Sequence, residues 1–574
     1  MIKKTFFIFI FIVLVTKLIA QNQVLIPDTL SGTAFELILQ NGTRQFFSGQ
    51  NTTTMGVNGN ILGPTLMMNQ GDFVNLKVIN QLAETTTIHW HGMHVSASND
   101  GGPHTTIAPG TIWNPKFRVM DKAATYWYHP HLHENTNKHV SLGIAGFIFV
   151  RDEEEAALNL PRKYGVDDFP LVIQTKDFDT NQQIVVPSNS DDIVMVNATI
   201  NPYLNVPAQV VRLRLLNGSS QRVFNLGLAG KLPFYQIASD GGLLSKPVLS
   251  TRLQLAPGER AEILVDFSEK AGQSVRLMSY ASEIQNGIYG AAYPSNMGGM
   301  INLNGYNPNP LNGTNFNVIE FKVMSQTTNP VLSVPAILAD VLQIPQSEAN
   351  ITRTLNISPA SMGPNQLNGK FLINGLLFNM DVINYSIPLN NTEIWSISNQ
   401  SAIAHPFHIH DVQFYVLDRN GTIPPLNEQG RKDVVLVRPM ETVRFITRFT
   451  DFANDSVPYM LHCHMLAHED DGMMLQFEVV YKTTEIKNQE MNSDNIEVFP
   501  NPLIGKNKSL TIKGVDSDFT LFELFDINGN KIYGQNITTG NKLLLINLND
   551  LKNEIYFLRF VGNNKSVTKK IVIQ

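Results

Sequence analysis

Cysteine is almost absent from this chain, and histidine is absent from its middle. The 574 residues include one cysteine, Cys463, so the chain cannot form an internal disulfide. The 14 histidines leave the whole stretch between His139 and His405 empty. Ordinary core packing would spread imidazoles along the sequence, so this gap indicates that the histidines serve a shared task at two distant places.

Long runs of like charge are also missing. The net charge is -6 and the pI is about 6.2, so there is no basic field that would gather nucleic acid. We therefore expect small-molecule partners and no nucleic acid.

One apolar run stands out, at the N-terminus. Lys3 and Lys4 precede the run 6–15, and Ala20 precedes Gln21, which is typical of a secretory signal over residues 1–20. A membrane anchor is the alternative, but the run is shorter than the roughly 20 residues that span a bilayer. We expect an exported protein, extracellular or on the cell surface after periplasmic transit, with no stable membrane span.

Short β-branched and aromatic runs alternate with Gly, Pro and Asn turns, which predicts an all-β architecture of sandwiches. One strand phrase occurs three times, at 71–80, 208–217 and 390–399, and each copy ends in Asn. A His-x-His pair begins nine residues after the first and third copies, whereas the second is followed by Leu226 and Leu228. We expect three related sandwiches, of which the second lacks metal ligands and serves as a spacer or substrate wall.

The expected boundaries are 21–155, 156–340 and 341–482 for the three sandwiches. A linker at 483–492 then leads to a small strand-rich unit at 493–574, which has a hairpin signal at Asn528-Gly529 and contains neither His nor Cys.

Ten histidines form four clusters, and these carry the chemistry. Each cluster contains a His-x-His pair: 89 and 91, 129 and 131, 408 and 410, 462 and 464. Alternate side chains of a strand share a face, so both imidazoles of a pair can reach one metal centre. Eight imidazoles exceed the needs of one ion and suit three coppers bound through nitrogen, with positions left open for oxygen.

Cys463 lies between two of these histidines, so its thiol points to the opposite face and binds a different metal. Cys463 with His405 and His468 gives two imidazoles and a thiolate, and Met473 can supply a long axial ligand. That combination indicates a blue copper centre. Zinc also binds Cys and His, but it favours four closed ligands and gives no reason for the His-Cys-His sequence.

The four clusters resemble the multicopper oxidase signature over residues 24–482. The likeness to bacterial laccases and copper-efflux oxidases is strongest at 129–133 and 468–474. The resemblance implies three cupredoxin-like Greek-key sandwiches and four copper ions. It assigns type 1 copper to His405, Cys463, His468 and Met473, type 2 copper to His89 and His408, and the type 3 pair to His91, His129, His131, His410, His462 and His464.

The resemblance also implies that O2 is reduced to water, which requires protons as well as electrons. Asp100 and Glu469 stand where such oxidases place proton-relaying carboxylates. Exposed loop carboxylates are the alternative reading for both. Asp470 and its neighbour Asp471 are expected to be surface charges, and the remaining histidines (94, 104, 133 and 139) are expected to be loop or supporting residues.

We expect a laccase-like oxidation of phenols or aromatic amines. An axial Met favours a moderate type 1 potential. Oxidation of Cu(I), Fe(II) or Mn(II) is an alternative, although the region 281–350 has only three methionines and so no evident Cu(I) docking segment. A copper nitrite reductase is another alternative, but its metal sites need fewer histidines than the eight paired imidazoles found here. A non-catalytic copper-binding or scaffold protein is the rival outside the enzymes.

The C-terminal unit resembles the sorting domain of the type IX secretion system, on the strength of Pro500-Asn501-Pro502, the hairpins and the closing run 569–573. It implies the secretion machinery as a partner. A carbohydrate-binding or structural β-module is the alternative.

Overall fold

The structure is a computed structural model that describes residues 21–300, 303, 305–306, 309–361, 369–481, 496–505, 508–515, 519–537, 543–562 and 566–574. The predicted signal at 1–20 and the linker at 483–492 lie outside the described residues. The chain divides into two compact units, Met1–Tyr481 and Lys482–Gln574.

The first sandwich encloses a core built around Trp90 and Tyr126. One of its sheets has the order Gln50–Val57, Ala34–Phe47, Phe73–Asn80 and Ile112–Trp113, and Lys116–Arg118 also pairs with Phe73–Asn80. The other sheet has the order Thr29–Ser31, Thr65–Asn69, Gly146–Arg151, Ala124–His129 and His89–His91.

The second sandwich has a separate apolar core that includes Leu213 and Phe224. One sheet has the order Asn22–Gln23, Pro202–Pro207, Phe316–Met324, Ser274–Ser279, Phe224–Leu228 and Leu253–Leu255. The other has the order Thr199–Ile200, Ile193–Val196, Asp168–Lys176, Val210–Asn217, Arg260–Asp266, Phe234–Ser239 and Gly242–Ser250. Strand Asn22–Gln23 thus pairs, in parallel, with Pro202–Pro207 of this sandwich, and Val24 packs in its core.

The third sandwich packs around Trp395 and Phe445. One sheet has the order Phe371–Ile373, Ile351–Pro359, Asn391–Asn399, Thr442–Phe449 and Phe414–Arg419. The other has the order Tyr385–Pro388, Met474–Val480, Tyr459–Cys463, His405–Ile409 and Val434–Val437.

The C-terminal unit has its own core, which includes Phe522 and Phe560. One sheet has the order Glu497–Phe499, Ser509–Lys513 and Leu543–Asn547. The other has the order Lys531–Asn536, Phe519–Phe525, Ile555–Gly562 and Ser566–Val572. The predicted hairpin at Asn528-Gly529 joins two antiparallel strands of the second of these sheets.

Helices are short. The α-helices in the described residues are Ala97–Asp100, Thr136–Leu142, Glu153–Ala156 and Leu466–Asp470. The 3-10 turns within the same described ranges are Ala229–Lys231, Ala281–Glu283, Gly298–Met300, Gln346–Glu348 and Leu426–Glu428. None of the helices described is both long and apolar enough to cross a membrane. The predicted all-β class, with three sandwiches and a small fourth, is confirmed.

The asparagine that ends each repeated strand makes the same contacts in all three sandwiches. Asn80, Asn217 and Asn399 are buried. The side-chain amides of Asn80 and Asn217 each donate to two backbone carbonyls, and that of Asn399 donates to three. Each side-chain oxygen accepts the N–H two residues later. Buried polar groups must be satisfied, so this residue fixes the loop that follows the strand. In the first and third sandwiches that loop leads into a histidine strand.

Candidate metal centre

The histidine pairs come from strands of the first and third sandwiches. In the first sandwich, strand His89–His91 pairs antiparallel with Ala124–His129, and His89 is opposite His129. In the third, His408 is opposite His462 on the neighbouring strand. All ten clustered histidines and Cys463 are buried, and His468 is the most exposed of them at 8%. The strands therefore bring the predicted ligands into one water-poor interface.

Three imidazoles converge in one group. Nε2 of His131 lies 3.1 Å from Nε2 of His410 and 3.1 Å from Nε2 of His462, and the last two are 3.4 Å apart. Their Nδ1 atoms face acceptors: Asp100 Oδ2 at 2.7 Å from His410, the Cys463 carbonyl at 3.1 Å from His462, and Glu469 Oε1 at 3.3 Å from His131. With the protons held on Nδ1, three Nε2 lone pairs face one another.

A second group contains His91, His129 and His464. His91 is reversed relative to the others: its Nε2 donates to Asp433 Oδ1 at 3.0 Å, so its Nδ1 points inward. That Nδ1 lies 3.2 Å from His129 Nε2 and 3.3 Å from His464 Nε2. Nδ1 of His129 donates to the Pro130 carbonyl at 2.8 Å, which again leaves the inward nitrogens as acceptors.

His89 and His408 form the remaining pair. Nδ1 of His89 donates to the Asp100 carbonyl at 3.0 Å, and Nδ1 of His408 donates to the Asp433 carbonyl at 2.7 Å. The Nε2 atoms of both rings are buried without a hydrogen-bond partner among the described residues. A buried acceptor without a partner destabilises the folded state, so the two Nε2 atoms are suited to bind a ligand that satisfies them.

A set of metal ions fits these nitrogens. Imidazole ligands lie about 2.0 Å from a bound metal, which matches nitrogens 3.1–3.4 Å apart around one ion. Burial, reinforced by the neighbouring imidazoles, lowers the pKa of His91, His129 and His131 well below its usual value, and burial lowers the pKa of His464 to about 3. The rings are therefore neutral, which is the form that binds metal.

A separate group surrounds Cys463. Nδ1 of His405 lies 3.5 Å from the sulfur and Nδ1 of His468 lies 3.6 Å from it. Met473 is fully buried in the same core, and its carbonyl accepts the Cys463 N–H at 3.1 Å. Burial raises the pKa of the thiol, so a metal is needed to hold a thiolate here. Two imidazoles, a thiolate and a nearby thioether suit copper.

Asp100 and Glu469 lie beside the imidazoles and not in exposed loops. Oδ1 of Asp100 is 3.2 Å from His89 Nδ1, and Oε2 of Glu469 is 3.3 Å from His462 Nδ1. Both carboxyl groups are buried, which rules out the exposed-loop reading. Burial and the charge of Asp470 raise the pKa of Glu469 well above its usual value, so this side chain can hold a proton at the cluster.

The prediction that Asp470 is a surface charge is wrong. Its carboxylate accepts the N–H groups of Thr136 at 2.9 Å and Asn137 at 3.0 Å. It thereby caps the helix of the first sandwich that packs against Leu466–Asp470. Burial raises its pKa to about 7. Its neighbour Asp471 is exposed, as predicted.

Three supporting residues were not predicted. Asp433 contacts His91 and His408, Arg260 of the second sandwich pairs with Asp433, and Ser401 Oγ lies 3.0 Å from His405 Nε2. Arg260 ends the sequence Pro257-Gly258-Glu259-Arg260 of the second sandwich, which contains no histidine. The second sandwich is therefore more than a spacer.

The other four histidines stay outside the ligand groups. His94 contacts Asp411 at 2.9 Å and Asp451 at 3.2 Å, and His104 contacts Gln476 at 2.8 Å. His139 bonds Thr86, and His133 packs edge-on against Phe378. These contacts agree with supporting or loop roles.

A cavity of about 180 Å³ opens beside His468. It is lined by residues of the second and third sandwiches, including Ser188, Gln221, Tyr289, Ile403, Met465 and Asp471. His405 does not line it. The edge of His468 is therefore the part of the Cys463 site that a small molecule can approach.

Comparison with known proteins places the chain. Residues 39–155 and 345–482 each match a family described as multicopper oxidase. Residues 497–574 match the secretion system C-terminal sorting domain, so the predicted sorting domain is confirmed.

Three similar proteins cover most of the first unit. The multicopper oxidase Mco of Staphylococcus haemolyticus is 33% identical over 478 residues, covering 80% of this chain and 93% of that protein. The cell division protein FtsP of Xenorhabdus nematophila is 32% identical over 446 residues, covering 76% and 87%.

The third is a solved structure, the laccase-like multicopper oxidase CueO of the lignin-degrading bacterium Ochrobactrum sp., which acts on lignin model compounds and lignosulfonate. It is 33% identical with a TM-score of 0.69, covering 80% of this chain and 100% of that one. Both the sequence identity over most of the first unit and the fold lead to one assignment: the chain belongs to the multicopper oxidase family.

Proposed function

We propose that this chain is an exported, laccase-like multicopper oxidase that takes electrons from phenols or aromatic amines and passes them to O2. Its ligand assignment is the one that the sequence predicts. Type 1 copper is held by His405, Cys463, His468 and Met473, type 2 by His89 and His408, and the type 3 pair by His91, His129, His131, His410, His462 and His464. The observation that carries the proposal is the convergence of eight buried imidazoles, whose ring nitrogens meet in one interface between the first and third sandwiches.

Copper bound at these groups supplies one-electron oxidation of the donor and four-electron reduction of O2 to water. The polypeptide supplies the connection between the two places. Cys463 faces one ligand group while His462 and His464, its neighbours on the same stretch of chain, face the other. A single peptide bond on either side of Cys463 therefore separates the site near the surface from the buried one.

The cavity beside His468 supports an organic donor. Its polar lining is mainly neutral, with hydroxyl and amide groups from Ser188, Gln221 and Tyr289, and Ile403 adds apolar surface. Such a lining suits a phenol, which carries an apolar ring and one polar hydroxyl. The donor would stand against the His468 ring.

Asp100 and Glu469 relay the protons that water formation consumes. Each carboxyl group lies within 3.3 Å of two cluster imidazoles. Proton transfer by positioned carboxyl groups needs this proximity. Neither residue is required for oxidation of the donor at the Cys463 site.

The test is oxygen uptake by the copper-loaded protein with a phenolic donor and, separately, with Cu(I), each corrected for uncatalysed oxidation. Turnover of the phenol with oxygen consumption supports the proposal. No uptake despite four bound coppers would contradict it and favour a copper-binding protein. Every predicted ligand position here carries a ligating side chain, which argues against a scaffold protein that has lost its metals.

A metal-ion oxidase is the second candidate, and two cavity residues favour it. Met465 and Asp471 both line the cavity beside His468, and a thioether or a carboxylate can hold a metal donor. Against it, Met297 and Met324 are about half exposed and do not line this cavity. Oxygen uptake with Cu(I) but not with the phenolic donor would identify the protein as a metal-ion oxidase.

Export follows from the sorting domain, and we propose that the secretion machinery recognises it. The sorting domain has its own core and carries no His or Cys. Deleting residues 493–574 should leave copper content and oxygen uptake unchanged, while the protein is retained in the periplasm and does not reach the cell surface or the medium. Export of the truncated protein would refute the role of this domain.

A further inference from the structure

Arg260 belongs to the sandwich without metal ligands, yet it is anchored at the metal centre. Its five N–H donors are all used: Nε to the Thr125 carbonyl at 3.1 Å, Nη1 to the Gly258 carbonyl at 3.1 Å and Asp433 Oδ1 at 2.6 Å, and Nη2 to the Asp240 carbonyl at 3.1 Å and Asp433 Oδ2 at 2.6 Å. Thr125 belongs to the first sandwich and Asp433 to the third. One fully buried guanidinium therefore ties together all three sandwiches.

The partner of Arg260 is the residue that distinguishes His91 from the other ligands. Asp433 Oδ1 accepts from His91 Nε2, which turns Nδ1 inward, whereas the five other histidines of the two groups of three turn Nε2 inward. The carbonyl of Asp433 also accepts from His408 Nδ1. Asp433 thus orients one ring in a group of three and one ring of the pair.

The geometry points to Arg260 as a positioning residue for the oxygen-reducing cluster, one that fixes the His91 ring in its reversed orientation by clamping Asp433. This inference rests on the proposed function, because it concerns the same cluster. The second sandwich then contributes to oxygen reduction without binding any metal.

A guanidinium is required for this role, for two reasons. First, only a planar fork meets both carboxylate oxygens at once, and a lysine ammonium is a single point charge. Second, the space is closed: a Cβ on Gly92 would lie 2.5 Å from Asp433 Oδ2 and 2.6 Å from Arg260 Nη2. A shorter cation would release one carboxylate oxygen, and the His91 ring could then rotate.

The Cys463 site gives an internal reference for the test. Among the described contacts, Arg260 and Asp433 have none to His405, Cys463 or His468. In copper-loaded Arg260→Lys we expect an unchanged blue type 1 absorption, and altered electron paramagnetic resonance of type 2 copper. Outer hydrogen-bond partners of metal ligands typically change affinity or activity by about 10- to 100-fold. We expect kcat for oxygen uptake to fall in that range with the donor KM unchanged.

Arg214→Lys is the matched control. Arg214 is a buried arginine of the same sandwich, paired with Asp168 and Glu262 and without contact to the ligands. It should destabilise the protein without altering the type 2 resonance. If Arg260→Lys does not fold, Asp433→Asn, which has the same shape, should give the same type 2 change.

The inference is overturned if Arg260→Lys keeps the wild-type resonance and kcat, if it loses the type 1 absorption equally, or if Arg214→Lys produces the same resonance change. Failure of the proposed function is distinguishable from these outcomes. In that case the unmodified protein consumes no oxygen, while the resonance still reports whether Arg260 orients the cluster.

Discussion

Replacing Gly258 by alanine should damage one copper site and spare the other. Gly258 has φ +84°, and a Cβ there would lie 2.9 Å from two ring atoms of His464 and 3.0 Å from its Nε2. Ordinary van der Waals contact begins near 3.4 Å, so the ring must move by about 0.5 Å, whereas metal–ligand distances tolerate about 0.2 Å. We expect loss of type 3 copper from Gly258→Ala and a fall in oxygen uptake of about 10- to 100-fold.

Gly272→Ala isolates the effect of the ring contact. Gly272 lies in the same sandwich at φ +75°, and nothing lies within 4 Å of its added Cβ. Both variants carry the left-handed backbone cost of about 1–2 kcal/mol, so their thermal stabilities should fall together. Copper analysis, type 1 absorption and oxygen uptake should separate them. Four bound coppers and a normal rate in Gly258→Ala would refute the reasoning.

Three further predictions concern the hydrogen bonds and ion pairs around the site. Ser401→Ala removes the hydroxyl bonded to His405 Nε2, so the type 1 absorption should shift with copper content unchanged, and an unshifted spectrum would contradict this. Arg214→Met removes one of the two arginines that pair with each of the buried carboxylates Asp168 and Glu262, and should cost about 3–5 kcal/mol of unfolding free energy. Urea denaturation measures this against exposed Arg276→Met, which should cost under about 1 kcal/mol. Burial opposes ionisation of Asp168, but Arg214 and Arg212 outweigh it and lower its pKa to about 2. The pKa of Asp168 is lower in the folded state than in the unfolded state, so its contribution to the free energy of unfolding is present above about pH 4 and is lost as the pH falls toward 2. The Asp168→Asn variant should not show this loss.

Strand periodicity made the ligand pairs predictable from the sequence. Alternation places both imidazoles of His89 and His91 on one face, and the same alternation turns Cys463 away from its neighbours. Both follow from local geometry alone. The asparagine at the end of each repeated strand was also visible as a pattern, although its hydrogen bonds were not.

The orientation of individual rings could not be predicted, because it depends on partners far away in the sequence. His91 turns its other nitrogen inward owing to Asp433, 342 residues later, and Asp433 is in turn held by Arg260. Asp470 looked like a surface charge because nothing in its sequence shows that Thr136 and Asn137 pack against it. Tertiary contacts decide both cases.

The pairing of Asn22–Gln23 with Pro202–Pro207 has a mechanical consequence. The chain touches the second sandwich, leaves it to build the whole first sandwich, and returns to it at Asp168. The first sandwich is thus tethered at both of its ends, and swinging it outward would require stripping a strand from its neighbour's sheet. The two connections therefore hold the four clustered histidines of the first sandwich in place and oppose its rotation away from the third sandwich.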